Sequence, residues 1–251
     1  MRARLSVENH RGVMVPRTLG ILLAICAGAS TVVVAATAAS TQPVTRAGWC
    51  AAVASLLVFA AGWVDDLSPT GPRGVRNHLR ALASGRMTTG IVKLVVVIAA
   101  AIVSVALQGG PTVLVRVAGV VLVAGCANLW NGLDVRPGRA LKFGVLAMLG
   151  VVTTPVWLLP TLPGVAAGSL VGVWPDLREH AMLGDGGANL LGFTMGLGLY
   201  AVLPDVWIVV AAVAAVALNV VADTVTLSRM IEAMPPMRWF DRLGRLPDRR
   251  T

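Results

Sequence analysis

The stretch 18–40 holds no charged side chain, and six further apolar runs follow, at 48–64, 88–108, 112–128, 141–159, 187–203 and 206–228. A helix rises about 1.5 Å per residue, so about 20 apolar residues cross the roughly 30 Å of hydrocarbon in a bilayer. Only helices and closed barrels satisfy every backbone polar group there, and runs of this length and spacing read as helices. A weaker run at 162–175 is rich in Gly and Pro, and reads as a span, a re-entrant segment or a surface helix. Counting it, the sequence predicts an all-α integral membrane fold: one domain over 1–251, a polytopic bundle of about eight transmembrane helices with both termini cytoplasmic, and a basic cytoplasmic tail at 229–251.

The charge distribution argues for the same count. Apolar residues make up 56% of the chain and charged ones 13%, a balance found in polytopic membrane proteins rather than soluble domains. A net charge of +9 would also suit nucleic acid, but that needs basic residues gathered on a soluble face with aromatics or a known module, and neither is present. Segments left in the cytoplasm carry the arginines. Eight spans put Arg80, Arg86, Arg136, Arg139, Arg178 and the arginines of both termini inside, and leave Arg46 and Arg116 outside. Without the weak span, Arg178 and Asp185 would face away from the basic C-terminus. The first run follows basic residues and has no convincing cleavage site, so it reads as a retained span in a multi-pass protein of the plasma membrane. Cys26, Cys50 and Cys126 lie in apolar runs without a CxxC pair and read as small hydrophobes.

On this topology the carboxylates collect at one face. Asp65 and Asp66 end the second run, Asp134 lies in the next cytoplasmic segment and Asp185 in the one after. In ANLWNGLD, Asn128, Asn131 and Asp134 recur every third residue, roughly along one helical face, and Asn is costly in hydrocarbon without a partner. In MLGDGGANLLGF, Gly184, Gly186 and Gly187 surround Asp185 where a helix begins; such a turn lets backbone amides approach an anion while the Asp holds a divalent cation. Arg73, Arg76, His78 and Arg80 follow the Asp pair and suit phosphates or anionic lipid, as does a plain positive-inside loop. Asp223, with Asn219 one turn earlier, is an ionisable residue near the end of the last run.

Three motifs in order, WVDDL, NLWNGLD and LGDGGANLLGF, together with the N-terminal NHRGVMVPRTLG, resemble the polyprenyl-phosphate N-acetylhexosamine-1-phosphate transferases, the family that includes the phospho-N-acetylmuramoyl-pentapeptide transferases. The resemblance implies a Mg2+-dependent phosphoglycosyl transferase, with Mn2+ an alternative ion. It would move a sugar-1-phosphate from a UDP-N-acetyl sugar to a polyprenyl phosphate in envelope glycan and peptidoglycan synthesis, releasing UMP at the cytoplasmic face, and a homodimer is compatible with it. Carried over by position, Asp185 is the metal ligand, Asp65, Asp66 and Asp134 are catalytic, and Asn128, Asn131, Gly186, Asn189, Arg73 and Arg76 bind substrate. The chain departs from the family in lacking its His-rich loop, since His10, His78 and His180 are the only histidines, and in having Leu67 to Thr70 where the lipid I enzyme has a Lys. The second expectation is therefore a non-catalytic relative that binds lipid-linked precursors or an envelope-synthesis partner. A third is a carrier with Asn219 and Asp223 along its path.

Overall fold

The computed structural model describes residues 6–9, 11–38, 43–68, 75–224 and 227–247, without the side chains of 38, 75, 76, 78, 79 and 224. Its long helices are α1 (Leu19–Ala38), α2 (Arg46–Asp66), α4 (Thr89–Gln108), α5 (Val113–Leu133), α8 (Gly184–Val202) and α9 (Asp205–Thr224). Shorter ones are α3 (Val75–Ala83), α6 (Arg139–Val151), α7 (Leu162–Leu177), α10 (Leu227–Ala233) and α11 (Pro235–Arg242). Among the described residues α1, α2, α4, α5 and α9 are long and apolar enough to cross a membrane. Large apolar side chains such as Ile25, Val32, Val206 and Val213 stand exposed on these helices. In a bilayer such residues face lipid, where a helix gains nothing by hiding them.

Two elements differ from the expectation. The apolar run 141–159 is helical only to Val151, after which the chain turns through Pro155 and Pro160 before α7; proline has no N–H to give and crowds the preceding turn. Near the N-terminus the otherwise helical chain forms a small antiparallel hairpin of β1 (Ser6–Glu8) and β2 (Met14–Pro16), with Val7 opposite Val15. Asn9 closes its turn by accepting from the N–H of Arg11 and Val13.

Helix α8 is the hub, touching α1, α2, α4, α5, α6 and α7. It is buried along most of its length although it is Gly-rich and carries Asp and Asn, because helices in lipid associate through close backbone approach rather than greasiness. A Cβ on Gly62 of α2 would meet Gly186 Cα at 2.7 Å, and one on Gly20 of α1 would meet the Gly187 nitrogen at 2.7 Å. Gly192 and Gly196 pack in the same way against the backbone of α5 at Cys126 and Val123. These contacts draw the C-terminus of α2 and the N-terminus of α1 onto the start of α8. The end of α5 joins them through Asp134, and the other end of the bundle is tied by Tyr200, whose hydroxyl donates to the Gly109 carbonyl.

Candidate functional site

Asp66 lies 3% exposed at the last turn of α2, facing the first turn of α8. Its Oδ1 accepts from the Asp185 N–H at 3.0 Å and from Arg17 Nη1 at 2.9 Å, and its Oδ2 accepts from the Gly186 N–H at 3.0 Å. The carboxylate thus satisfies the orphan amides of a helix N-terminus and meets the positive end of its dipole. Gly184, with a φ of 71°, adopts the left-handed conformation that starts α8, and a Cβ there would reach Asp66 Oδ2 at 2.8 Å. The Gly184 N–H donates to Asp134 Oδ2 at 2.9 Å. The Gly-rich start of α8 therefore does turn its amides on carboxyl acceptors, and in this structure those are the protein's own Asp66 and Asp134.

Asp65 and Asp185 point elsewhere. Lys93 Nζ lies 2.6 Å from Asp65 Oδ2 and 2.6 Å from Asp185 Oδ2, so one ammonium bridges carboxylates from α2 and α8. Thr89, one turn earlier on α4, donates its hydroxyl to the other oxygen of Asp65. Thr88 caps the same helix by accepting from the Ile91 N–H, which fixes where α4 starts and hence where Lys93 stands. Asp185 keeps a third of its side chain exposed, the most open of the two carboxylates on Lys93.

Beside this cluster, between the N-terminal hairpin and the loops 134–137 and 178–182, lies a cavity of about 340 Å³ whose lining includes Asn9, Arg17, Asp134, Arg136, Asp176 and Glu179. Glu179 anchors the hairpin by accepting from Asn9 Nδ2 and Arg11 Nη1, both at 2.9 Å. Asp176 is 2% exposed, and its Oδ2 is buried without a hydrogen-bond partner. Burial pushes the Asp134 carboxyl well above the usual carboxylate range, and the charges of Asp176, Asp185 and Asp66 push the same way against the Gly184 hydrogen bond.

The remaining expected site residues fall in different places. Asn128 donates to Asn219 of α9, which in turn donates to the carbonyls of Gly125 and Ala215, so this pair fastens α5 to α9. Asn128 and Asp134 consequently face different neighbours. A three-residue step turns a helix by about 300°, so two steps leave the ends of the expected row about 120° apart. Asn131, half-buried, sits between them. Asn189 spends its side-chain amide on the Asp185 carbonyl at 2.7 Å, within α8. Gly186 packs against α2 at Phe59 and Trp63. Asp223 is exposed while Asn219 turns inward, so the two do not line one path. Arg73 and the side chain of Arg76 lie outside the described residues.

Three members of the cluster escaped the sequence reading. Lys93, one of only two lysines in the chain, stands about one turn inside an apolar run, where an ionisable residue is by default a functional candidate. Arg17 stands in sequence as one of the N-terminal arginines, within NHRGVMVPRTLG, with no role of its own to mark it, and Asp176 adjoins the weakest apolar run. Whether the set suits a divalent cation turns on which oxygens remain uncommitted. Those of Asp66 and Asp134 are engaged by N–H groups, and among the described residues no group of three His, Cys, Asp or Glu is arranged around a common point. Asp65 and Asp185 do share a point, the one where the Lys93 ammonium sits. Mg2+ is commonly held by one or two carboxylates plus substrate phosphates and water; Asp65 already engages Thr89 and Lys93 through its two oxygens, so it is Asp185, with a third of its side chain exposed, that would meet an ion arriving with phosphate.

Fold and site together define a mostly helical chain with, among the described residues, five membrane-capable helices and an acidic, cation-bridged cluster at one end of the bundle. Compared with protein-family models, curated proteins and solved structures, it matches none.

Proposed function

We propose that the chain is a phosphoglycosyl transferase of the bacterial plasma membrane, moving a sugar-1-phosphate from a UDP-N-acetyl sugar to a polyprenyl phosphate at the cytoplasmic face. The observation that carries this reading is the convergence of Asp65 and Asp185 on Lys93, beside a cavity lined by Arg17, Arg136, Asp134 and Asp176. Transfer between two phosphates needs positioning and charge neutralisation more than covalent help from the protein. An oxygen of the lipid phosphate attacks the phosphorus that bears the sugar, the P–O bond to the uridine-bearing phosphate breaks, and UMP leaves with the electron pair. Among the described residues, Lys93 and Arg17, paired with Asp65, Asp185 and Asp66, and Arg136 of the cavity lining would supply positive charge to these anions, and the unpartnered Asp176 oxygen is an acceptor for N–H or O–H groups of the donor. Asp185 would hold the magnesium, which when bound neutralises the phosphates.

The membrane arrangement belongs to the same proposal. Helices α6, α7 and α8 cross alongside the five longer ones, giving eight spans with both termini cytoplasmic. The alternation of helix ends supports this: α2, α5, α7 and α9 end, and α1, α4, α6 and α8 begin, on the side of the carboxylates. No sequence feature opposes a homodimer.

The test is UMP release by the detergent-purified protein given undecaprenyl phosphate, Mg2+ and a panel of UDP-N-acetyl sugars. Release that requires lipid and metal, and that falls by at least about 100-fold in Asp185→Asn, is the expected result. Undiminished release in Asp185→Asn overturns the site assignment. A second reading, a non-catalytic relative that binds lipid-linked precursors or an envelope-synthesis partner, is favoured by one feature: Lys93 already neutralises Asp185, the carboxylate that would hold the metal. Folded protein that releases UMP from no donor yet retains lipid-linked precursor would establish it.

A further inference from the structure

Helix α11 has two unlike faces. Inward, Asp241 is 3% exposed and accepts from Arg139 Nε at 2.8 Å and Nη2 at 3.1 Å, while Arg139, fully buried, gives its remaining nitrogen to Ser228 Oγ at 2.7 Å. Lys142 Nζ donates to the carbonyls of Phe240, Asp241 and Leu243 at 2.7–2.9 Å, satisfying the last turn of α11. Arg245 donates to Asp241 and, through Nε, to the Pro137 carbonyl at 3.0 Å. Every charged group on this side has a partner, so α11 is fixed rigidly against the start of α6.

Outward, no described residue partners the face, which is of one kind. Trp239 is 66% exposed, Leu243, one turn further on, is exposed on the same side, and Arg238 and Arg242 stand in solvent. The only acid of α11 is Asp241, which is turned in. We infer that this face is a binding surface for anionic lipid headgroups of the bilayer in which the chain's own helices sit. Two observations select that occupant. The surface is cationic with an amphipathic aromatic at its centre, the composition of helices that lie in the headgroup layer. Its place is set by continuity, because only residues 225 and 226 separate the membrane-capable α9 from α10, and α11 follows after Met234. A chain that short cannot carry α11 far from the membrane edge. The inference is independent of the transferase reading. Its consequence is that headgroups on the outer face brace, through Arg245 and Arg139, the loop 134–138 that carries Asp134.

The experiment places the full-length protein in neutral nanodiscs of phosphatidylcholine brominated on its acyl chains near the headgroup, or in anionic nanodiscs of phosphatidylcholine mixed with phosphatidylglycerol brominated at the same position. The chain has seven tryptophans, so the emission of Trp239 is obtained as wild type minus Trp239→Phe. Quenching of that difference by about twofold in the anionic discs, lost in the double variant Arg238→Gln/Arg242→Gln, is the expected result. A water-like, unquenched Trp239 in anionic discs overturns the inference. So does equal quenching by brominated phosphatidylcholine, or quenching that survives the double variant. As a readout without tryptophan, phosphatidylglycerol retained through detergent purification should fall at least about twofold in the double variant, and unchanged retention would count against the surface.

Discussion

Asp66 is the residue on which the site's shape depends. It is buried, and it satisfies two backbone amides and one guanidinium that would otherwise be left in a poorly solvated place. Removing one partner of a buried charged pair costs about 3–5 kcal/mol, because the orphaned group keeps its desolvation penalty. Asp66→Ala should lower the thermal unfolding midpoint accordingly, while Asp66→Asn, which keeps one acceptor oxygen, should lose at most about half as much. Asp134 makes the opposite demand. Its carboxyl titrates above the ordinary value of 3.8, so between that value and its own the folded protein holds a proton that the unfolded chain has released. Stability from this residue is therefore full in acid and is lost as pH rises through the window. Asp134→Asn keeps an acceptor for the Gly184 N–H and cannot ionise, so it should raise the midpoint by roughly 2–4 °C at pH 8 and by nothing below pH 4, in a pH series of thermal melts.

Among the elements, α8 sets the geometry, and glycine lets it do so. Gly62 on α2 faces Gly186 with no room for a methyl group, whereas Gly28 on α1 has nothing within 4 Å of where its Cβ would stand. Gly62→Ala should push α2 from α8, cost about 1–3 kcal/mol of stability and part Asp65 from Asp185. Gly28→Ala should instead stabilise by about 0.5–1 kcal/mol, since it only removes unfolded-state freedom from a helix interior. Thermal melts of the two variants side by side check this, and equal effects would mean that the close approach is not what orders the pair. The apolar helices themselves were legible in the sequence as runs of the right length. The short α6 and the hub role of α8 were not, because hydropathy measures what a segment offers to lipid and not what it offers to a neighbouring helix.

At the scale of the whole molecule, the proposed eight-span topology would put Arg86, Arg178 and Arg238, all exposed, on the side of the carboxylates, and Arg116 on the other. Single cysteines at these four positions, treated with a membrane-impermeant thiol reagent in inside-out vesicles, should label at the first three and not at Arg116. Labelling of Arg178→Cys and Arg238→Cys from opposite sides would remove one span from the count. That the carboxylates share an end was readable in sequence, since each lies where an apolar run meets a polar segment. How they are used was not readable, because partners of Asp66, Asp134 and Asp185 are distant in the chain and chosen by packing.

The sequence by itself determined that the chain is mostly helical, that the runs at 18–40, 48–64, 88–108, 112–128 and 206–228 form membrane-capable helices, and that Asp65, Asp66, Asp134 and Asp185 lie at helix ends, because length, hydropathy and charge act locally. Tertiary structure alone decided that Lys93 joins Asp65 to Asp185, that Asp66 and Asp134 hold the start of α8, that Asn128 turns to α9, and that residues 235–242 form a docked helix. A charged or polar side chain must find its counterpart once water is removed. Which counterpart lies within 3 Å is a matter of how glycine-lined helices close on one another, and no local pattern encodes that.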